Sequence, residues 1–292
     1  MANGRPLEGL RIANFGWVWA GPVVGQTLSF LGADVYKIES HARIDMTRTL
    51  PPFGGGVRDP NRSLSNHACW AGNGSVTLNL KKPEAVALAK ELIAHCDVVV
   101  ENFSAGTFAR MGFGYEALRQ LRPDIIMVSH SLTGLSGPWK HIKGHGPMAA
   151  AMAGMHHLTG YPDAPPINPG QAFTDYVVNP HHSSFAIMAA LHHRRRTGQG
   201  QYIDVSCYEA LPSLVGEGHM DYSMNGRVAQ PQGNRHPSMA PHGIYPCAGH
   251  DKWVSIAVKT QEEWTAFAGA LGNPPWTQEE RFADLFGRLG HR

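Results

Sequence analysis

The sequence predicts an α/β protein built on a parallel sheet. Three observations predict it: apolar runs of strand length, helical stretches alternating with them, and glycine or proline at the joins. Leu10 to Phe15 is the first such run. Ala20-Gly21-Pro22 then opens a helical stretch to Leu31, and Gly32-Ala33 turns the chain into a second strand, Val35 to Ile38. The unit repeats. Pro83 opens a helix with Ala85, Leu88, Ala89, Leu92 and Ile93 on one face, and Asp97-Val98-Val99-Val100 follows as a buried strand. A helix from Tyr115 to Leu121 leads to a strand from Ile125 to Ser129. After Pro166-Ile167-Asn168-Pro169-Gly170, a long helical pattern from Tyr176 to Arg195 stops at Thr197-Gly198-Gln199-Gly200, before a strand from Tyr202 to Val205.

Strands alternating with helices at this spacing imply a sheet covered on both faces, with functional loops at the carboxyl ends of its strands. Those loops start at Gly16, Glu101 and His130. The first has Gly16 and Gly21 as its only close glycines, so a G-x-G-x-x-G dinucleotide fingerprint is not supported. Beyond Gly216 the composition changes. Residues 223–251 are rich in Pro, Gly, Asn and His and read as linker, ahead of a strand from Trp253 to Val258 and a helix from Glu262 to Leu271. The expected fold class is therefore a Rossmann-like parallel-sheet large domain over residues 1–215, with a second, smaller α+β domain and its linker over 216–292.

Hydrophobic residues form 42% of the 292-residue chain and charged residues 16%, a balance that suits a packed core rather than disorder. The formal net charge is +2, and the basic residues are scattered apart from Arg194-Arg195-Arg196, which argues against nucleic acid or a membrane surface as partner. No apolar stretch approaches the ~18 residues of a membrane span, and Met1 to Gly9 lacks a signal segment, so a cytoplasmic location is expected. Cys69, Cys96, Cys207 and Cys247 form no C-x-x-C pair and read as reduced, mostly buried thiols. The paired histidines His156-His157, His181-His182 and His192-His193 invite a metal. Adjacent helical positions diverge, however, and no H-E-x-x-H occurs, so no metal is expected.

Several segments, in order, carry a resemblance over nearly the whole chain. They include Pro6-Leu7-Glu8-Gly9-Leu10, Trp19-Ala20-Gly21-Pro22, Leu31-Gly32-Ala33-Asp34-Val35, Lys37-Ile38-Glu39 and Ser75 to Leu80. Further on come Asp97 to Phe103, Arg110-Met111-Gly112-Phe113, Thr197 to Gln201 and Ser206 to Ala210. The set resembles the family III CoA-transferases, which include formyl-CoA, carnitine-CoA and benzylsuccinate CoA-transferases and the related 2-methylacyl-CoA racemases. Members usually continue past the point where this chain stops, returning to the large domain, so by the resemblance this chain is expected to lack the C-terminal return segment. It also implies coenzyme A, carried as an acyl-CoA substrate, a carboxylic acid as co-substrate, no metal, and an interlocked homodimer or a heteromer with CoA bound between large and small domains.

By that resemblance Asp175, in Ala172-Phe173-Thr174-Asp175-Tyr176, is the covalent catalytic carboxylate. A carboxylate suits the role because it attacks a thioester carbonyl to form a mixed anhydride, which the released CoA thiolate converts to an aspartyl-CoA thioester. On spacing alone, Asp175 reads instead as a helix N-cap. Trp17, Val18, Trp19 and Ala20 are implied along the adenine and pantetheine path, Asn102 and Phe103 near the thiol end, and Arg110 and Lys143 at the phosphates. Trp17 and Trp19 hint at a bulky acyl group. Ser40, Asn73 and Ser104 stand where relatives commonly carry basic residues.

Two alternatives stay open. In the racemase branch an aspartate and a histidine exchange the α-proton, and His145, upstream of Asp175, matches that histidine. Gly146 follows it where the racemase pattern places an acidic residue, which favours the transferase. The other alternative is an inactive subunit or fragment.

Overall fold

The computed structural model describes residues 4–170 and 173–292. Ala172, in the segment Ala172 to Tyr176 quoted around Asp175, lies outside the described residues. The order of elements is β1 (Arg11–Asn14), α1 (Ala20–Phe30), β2 (Asp34–Glu39), α2 (Leu64–Trp70), β3 (Gly74–Thr77), α3 (Pro83–Ala94), β4 (Val98–Glu101), α4 (Tyr115–Leu121), β5 (Ile126–Ser131), α5 (Gly146–Met152), α6 (Met155–Leu158), α7 (Asn179–Thr197), β6 (Tyr202–Ser206), α8 (Cys207–Ala210), α9 (Gly216–Asn225), β7 (His242–Pro246), β8 (Trp253–Ala257), α10 (Gln261–Ala270) and α11 (Leu285–Gly290). The chain divides into two compact units, Met1–Met155 with Asn168–Gly226, and His156–Ile167 with Arg227–Arg292. The sequence placed one border at 215/216 and kept 156–167 with the large domain.

The first unit holds a six-stranded sheet of order β3-β2-β1-β4-β5-β6, every pair parallel. This is the Rossmann-like order expected, with its switch point between β1 and β4. Alternation of side chains sends one set to each face. Ile12, Val98, Val100, Ile126 and Val128 pack with Val24 and Leu28 of α1 and Ile187, Ala190 and Leu191 of α7. Ala13, Val99 and Met127 face Ala89 and Ile93 of α3, Leu118 of α4, and Phe108 and Phe113. Burial on both faces explains why Val98 to Val100 of β4 and Ile126 to Val128 of β5 read as unbroken apolar runs rather than alternating ones. Each fully buried Ile or Leu here contributes about 1.5–3 kcal/mol of transfer free energy.

An ion network closes the amino end of the sheet. Arg122 and Arg194 both reach Asp97 Oδ1, at 2.7 and 3.0 Å, and both also pair with Asp124. The basic run that stood out in the sequence thus has a structural task at its first member. All four cysteines are free; Cys69, Cys96 and Cys207 are buried and Cys247 is exposed.

In the second unit β7 and β8 form an antiparallel pair, with Gly243 opposite Ile256 and Tyr245 opposite Val254. The sequence reading left β7 inside a linker. Its Pro, Gly and His content hides a strand that exists because β8 supplies its hydrogen bonds, a tertiary effect that propensity does not show. Helix α10 opens with a full capping box, Thr260 and Glu263 each accepting the other's backbone N–H. Among the described residues no helix is long and apolar enough to cross a membrane.

Candidate active site

The switch point of the sheet places the loop after β1 beside the loop after β4, and one side chain ties them together. Asn102 Oδ1 accepts the Trp17 N–H at 2.8 Å, and Asn102 Nδ2 donates to the Trp17 carbonyl, also at 2.8 Å. Below them Asn14, fully buried, accepts the Gly16 N–H at 2.8 Å and donates to the Gly21 carbonyl at 2.9 Å. A Cβ on Gly16 would lie 2.7 Å from the Gly21 Cα, so the two glycines are needed for close approach of the loop to α1. Their role is backbone packing, and the phosphate cradle rejected from sequence is not what they build.

A cavity of about 830 Å³ opens over this junction. Of the ten residues proposed from sequence, Trp17, Val18, Trp19, Ala20, Asn102, Phe103, His145 and Asp175 line it. Arg110 and Lys143 do not; both are exposed, and Arg110 Nη2 donates to Thr107 Oγ1 at 3.0 Å. The Trp17 ring carries the Arg43 guanidinium at 4.7 Å, and the Trp19 ring meets Tyr176 at 5.5 Å.

Asp175 is 4% exposed and stands in a widened helical turn, Thr174–Val178, which runs directly into α7. It is not an N-cap. Pro180 at the start of α7 cannot donate a backbone hydrogen bond, and the turn before it has the wider π spacing, a feature frequent at functional sites. The carboxylate instead accepts the Gly146 N–H at 3.2 Å, at the head of α5. Burial pushes Asp175 up to about 6, against the lowering effect of that hydrogen bond and of His145. Gly146 has to be glycine: a Cβ there would sit 2.6 Å from the Asp175 carboxyl carbon and overlap the Thr174 hydroxyl.

Three further groups were not singled out for the site from sequence. His130 is 2% exposed, with Nδ1 2.8 Å from the Ser183 hydroxyl and Nε2 2.9 Å from Cys207 Sγ. Burial first, then the His182 charge, lowers it to about 4, so its imidazole is neutral at pH 7. Cys207 also lines the cavity, and burial with the nearby Asp175 charge raises its thiol well above the ordinary value, which makes it a thiol and not a thiolate. Ser131, another lining residue, has a buried hydroxyl without a hydrogen-bond partner among the described residues. The only sequence signal for His130 and Ser131 was their place at the carboxyl end of β5. Among the described residues no group of three or more His, Cys, Asp or Glu is arranged to hold a metal ion.

A sheet with this order, a crevice at its switch point and a buried carboxylate in the crevice define the class. The family model for CoA-transferase family III matches residues 7–292, and the chain belongs to that family. It is an enzyme of CoA transfer. It is 35% identical over 288 residues to the succinyl-CoA–D-citramalate CoA-transferase of Chloroflexus aurantiacus, covering 99% of this chain and 70% of that protein. It is also 35% identical over 289 residues to the succinate–glutarate CoA-transferase of Agrobacterium fabrum, covering 98% and 72%. Among solved structures, a CAIB/BAIF family protein from Brucella suis superposes with a TM-score of 0.91 at 34% identity, over 99% of this chain and 76% of that one.

Proposed function

We propose that the chain moves CoA from an acyl-CoA donor to a carboxylic acid acceptor by way of Asp175. The observation that carries this reading is a buried carboxylate, lining the switch-point cavity and held by one backbone amide. In the first step an Asp175 oxygen attacks the thioester carbonyl, the C–S bond breaks, and CoA leaves as thiolate, giving a mixed anhydride. The thiolate then attacks the Asp175 carbonyl, releasing the donor carboxylate and leaving an aspartyl-CoA thioester. The acceptor carboxylate attacks that thioester, breaking its C–S bond and expelling CoA thiolate to give a second mixed anhydride, and the thiolate then attacks the acceptor carbonyl, forming the new acyl-CoA and releasing the Asp175 carboxylate. Only the ionised carboxylate attacks, and with its pKa near 6 Asp175 is mostly ionised at pH 7 while more nucleophilic than an ordinary aspartate.

Gly146 supports transferase over racemase chemistry. An acidic side chain at that position, as the racemase pattern has, would fall onto the Asp175 carboxylate. Arg110 and Lys143, outside the cavity, are proposed to meet the CoA phosphates beyond its mouth.

The test is intact-protein mass spectrometry after mixing the chain with succinyl-CoA, with hydroxylamine trapping. A CoA adduct or hydroxamate at Asp175, absent in Asp175→Ala, is the expected result. Exchange of the α-hydrogen of a 2-methylacyl-CoA without any adduct would establish the racemase instead.

For the acyl group we infer a dicarboxylic acid, the class that the two curated relatives' names share. Arg43 supports it: an arginine in the lining, stacked on Trp17, supplies a bidentate partner for a distal carboxylate. Arg43→Gln is expected to lower kcat/KM for succinyl-CoA about thirtyfold or more and for acetyl-CoA less than threefold, in line with the loss of one charge-assisted contact. Equal losses on both would assign Arg43 to the coenzyme.

A further inference from the structure

Among the described residues only Val18, Asp251 and Asn273 have positive φ without being glycine. Asp and Asn tolerate that conformation because their side chains bond locally, whereas a β-branched valine does not. Val18, at φ 66°, lines the cavity between Trp17 and Trp19, so something must hold it there. Asn102 fixes the peptide groups of Trp17 on one side. On the other, the Val18 N–H donates to Asp45 Oδ1 at 3.3 Å.

Asp45 is 1% exposed and also accepts the Thr47 N–H at 3.0 Å, capping a 3₁₀ turn over Met46–Thr49. Its charge is matched by the buried Lys37, whose Nζ is 3.7 Å from Asp45 Oδ2 and 3.2 Å from Glu39 Oε2. The same ammonium lies 4.2 Å from the centre of the Trp70 ring and donates to Asn66 Oδ1. One carboxylate therefore joins two walls of the cavity, the stretch Trp17 to Ala20 and the stretch with Arg43, Met46, Leu50 and Pro51.

We propose that Asp45 is a positioning residue of the transfer site: its buried carboxylate holds Val18 left-handed and thereby sets the wall against which the acyl-CoA is seated. This rests on the reading of the cavity as the acyl-CoA site. Asp45 acts through the backbone of residue 18 and touches no reacting atom.

A double-mutant cycle tests it, because glycine adopts positive φ freely and needs no such clamp. Asp45→Ala is expected to lower kcat/KM about tenfold, chiefly by raising KM for acyl-CoA. Asp45→Asn, which keeps an oxygen acceptor for both amides, retains most of the activity. In a Val18→Gly background the further effect of Asp45→Ala shrinks to less than about twofold. An equal tenfold loss in both backgrounds, or no loss from Asp45→Ala in the native background, overturns the proposal. Should Asp45→Ala alone not fold, the cycle is run with Lys37→Met added, which removes both buried charges together. Thermal unfolding of the same four proteins reads the 18–45 coupling without any activity. Should no acyl-CoA modify Asp175, that coupling still reports the clamp while the transferase reading fails; coupling in Tm with KM unchanged overturns the positioning role.

Discussion

Two buried charged regions of the first unit make a useful contrast. Around Lys37 every ionised group has an opposite charge beside it: Glu39 meets Lys37 at 3.2 Å and Arg48 at 2.7 Å, and Asp45 meets Lys37 at 3.7 Å. Burial alone would raise Glu39, but hydrogen bonds from Arg48 and Ser75 and the charges of Lys37 and Arg48 overcome it and hold Glu39 down to about 2. Asp175 is more deeply buried than Glu39, accepts one amide, and forms no ion pair among the described residues, so burial wins and its pKa goes up to about 6 instead. Carboxylates are charge-paired in one place and left underpaired in the other. A paired carboxylate holds backbone; an underpaired one is available to attack.

The contrast breaks first at Lys37. Lys37→Met leaves Asp45 buried beside no cation and should destabilise the protein by about 3–5 kcal/mol, read by denaturant unfolding. A loss below ~1 kcal/mol would mean that the network is not the tightly matched set described here. Asp175→Asn should act in the opposite direction. An acid whose folded pKa is raised from 3.8 to about 6 costs stability wherever it is ionised, fully above pH 6 and not at all below pH 3.8. Removing the charge should therefore stabilise the protein by up to about 3 kcal/mol at pH 7.5, shrinking to nothing by pH 4, while abolishing turnover. A stability difference that does not depend on pH would refute the assignment of that burial cost. The same ionisation should appear in the rate, with kcat/KM falling roughly tenfold per unit as pH drops below 6.

His130 sharpens the comparison with an effect of the other sign. Its folded pKa, about 4, lies below the ordinary 6.5, so protonation favours the unfolded chain and stability declines as pH falls from 6.5 toward 4. His130→Asn should flatten that part of the stability–pH curve, measured as Tm against pH after the Asp175 contribution is subtracted.

The sheet was legible because its central strands are buried on both faces and its helices carry their apolar residues at helical spacing, signals that local pattern preserves. Strand β7 was not, because its hydrogen-bond partner lies in another part of the chain. Asp175 emerged from an ordered set of matching segments, not from spacing, which favoured an N-cap. Its environment was illegible for a physical reason: the amide that meets it belongs to Gly146, and burial, which sets its pKa, exists only once α5, α7 and β5 are packed. Asp45 was hidden in the same way, since nothing in Arg43-Ile44-Asp45 announces a clamp on residue 18.

The Asn102 side chain grips Trp17 by its main-chain N–H and carbonyl only. Residue 17 is therefore placed by what its backbone offers, which any amino acid except proline provides, while its ring stacks with Arg43 in the cavity lining and the Trp19 ring packs against Tyr176. The wall and its surface are separately encoded. On the proposed reading of the cavity, substrate range is open to change at residue 17 on a frame held by the register of β1 against β4 and by the contacts of Asn102 and Asp45.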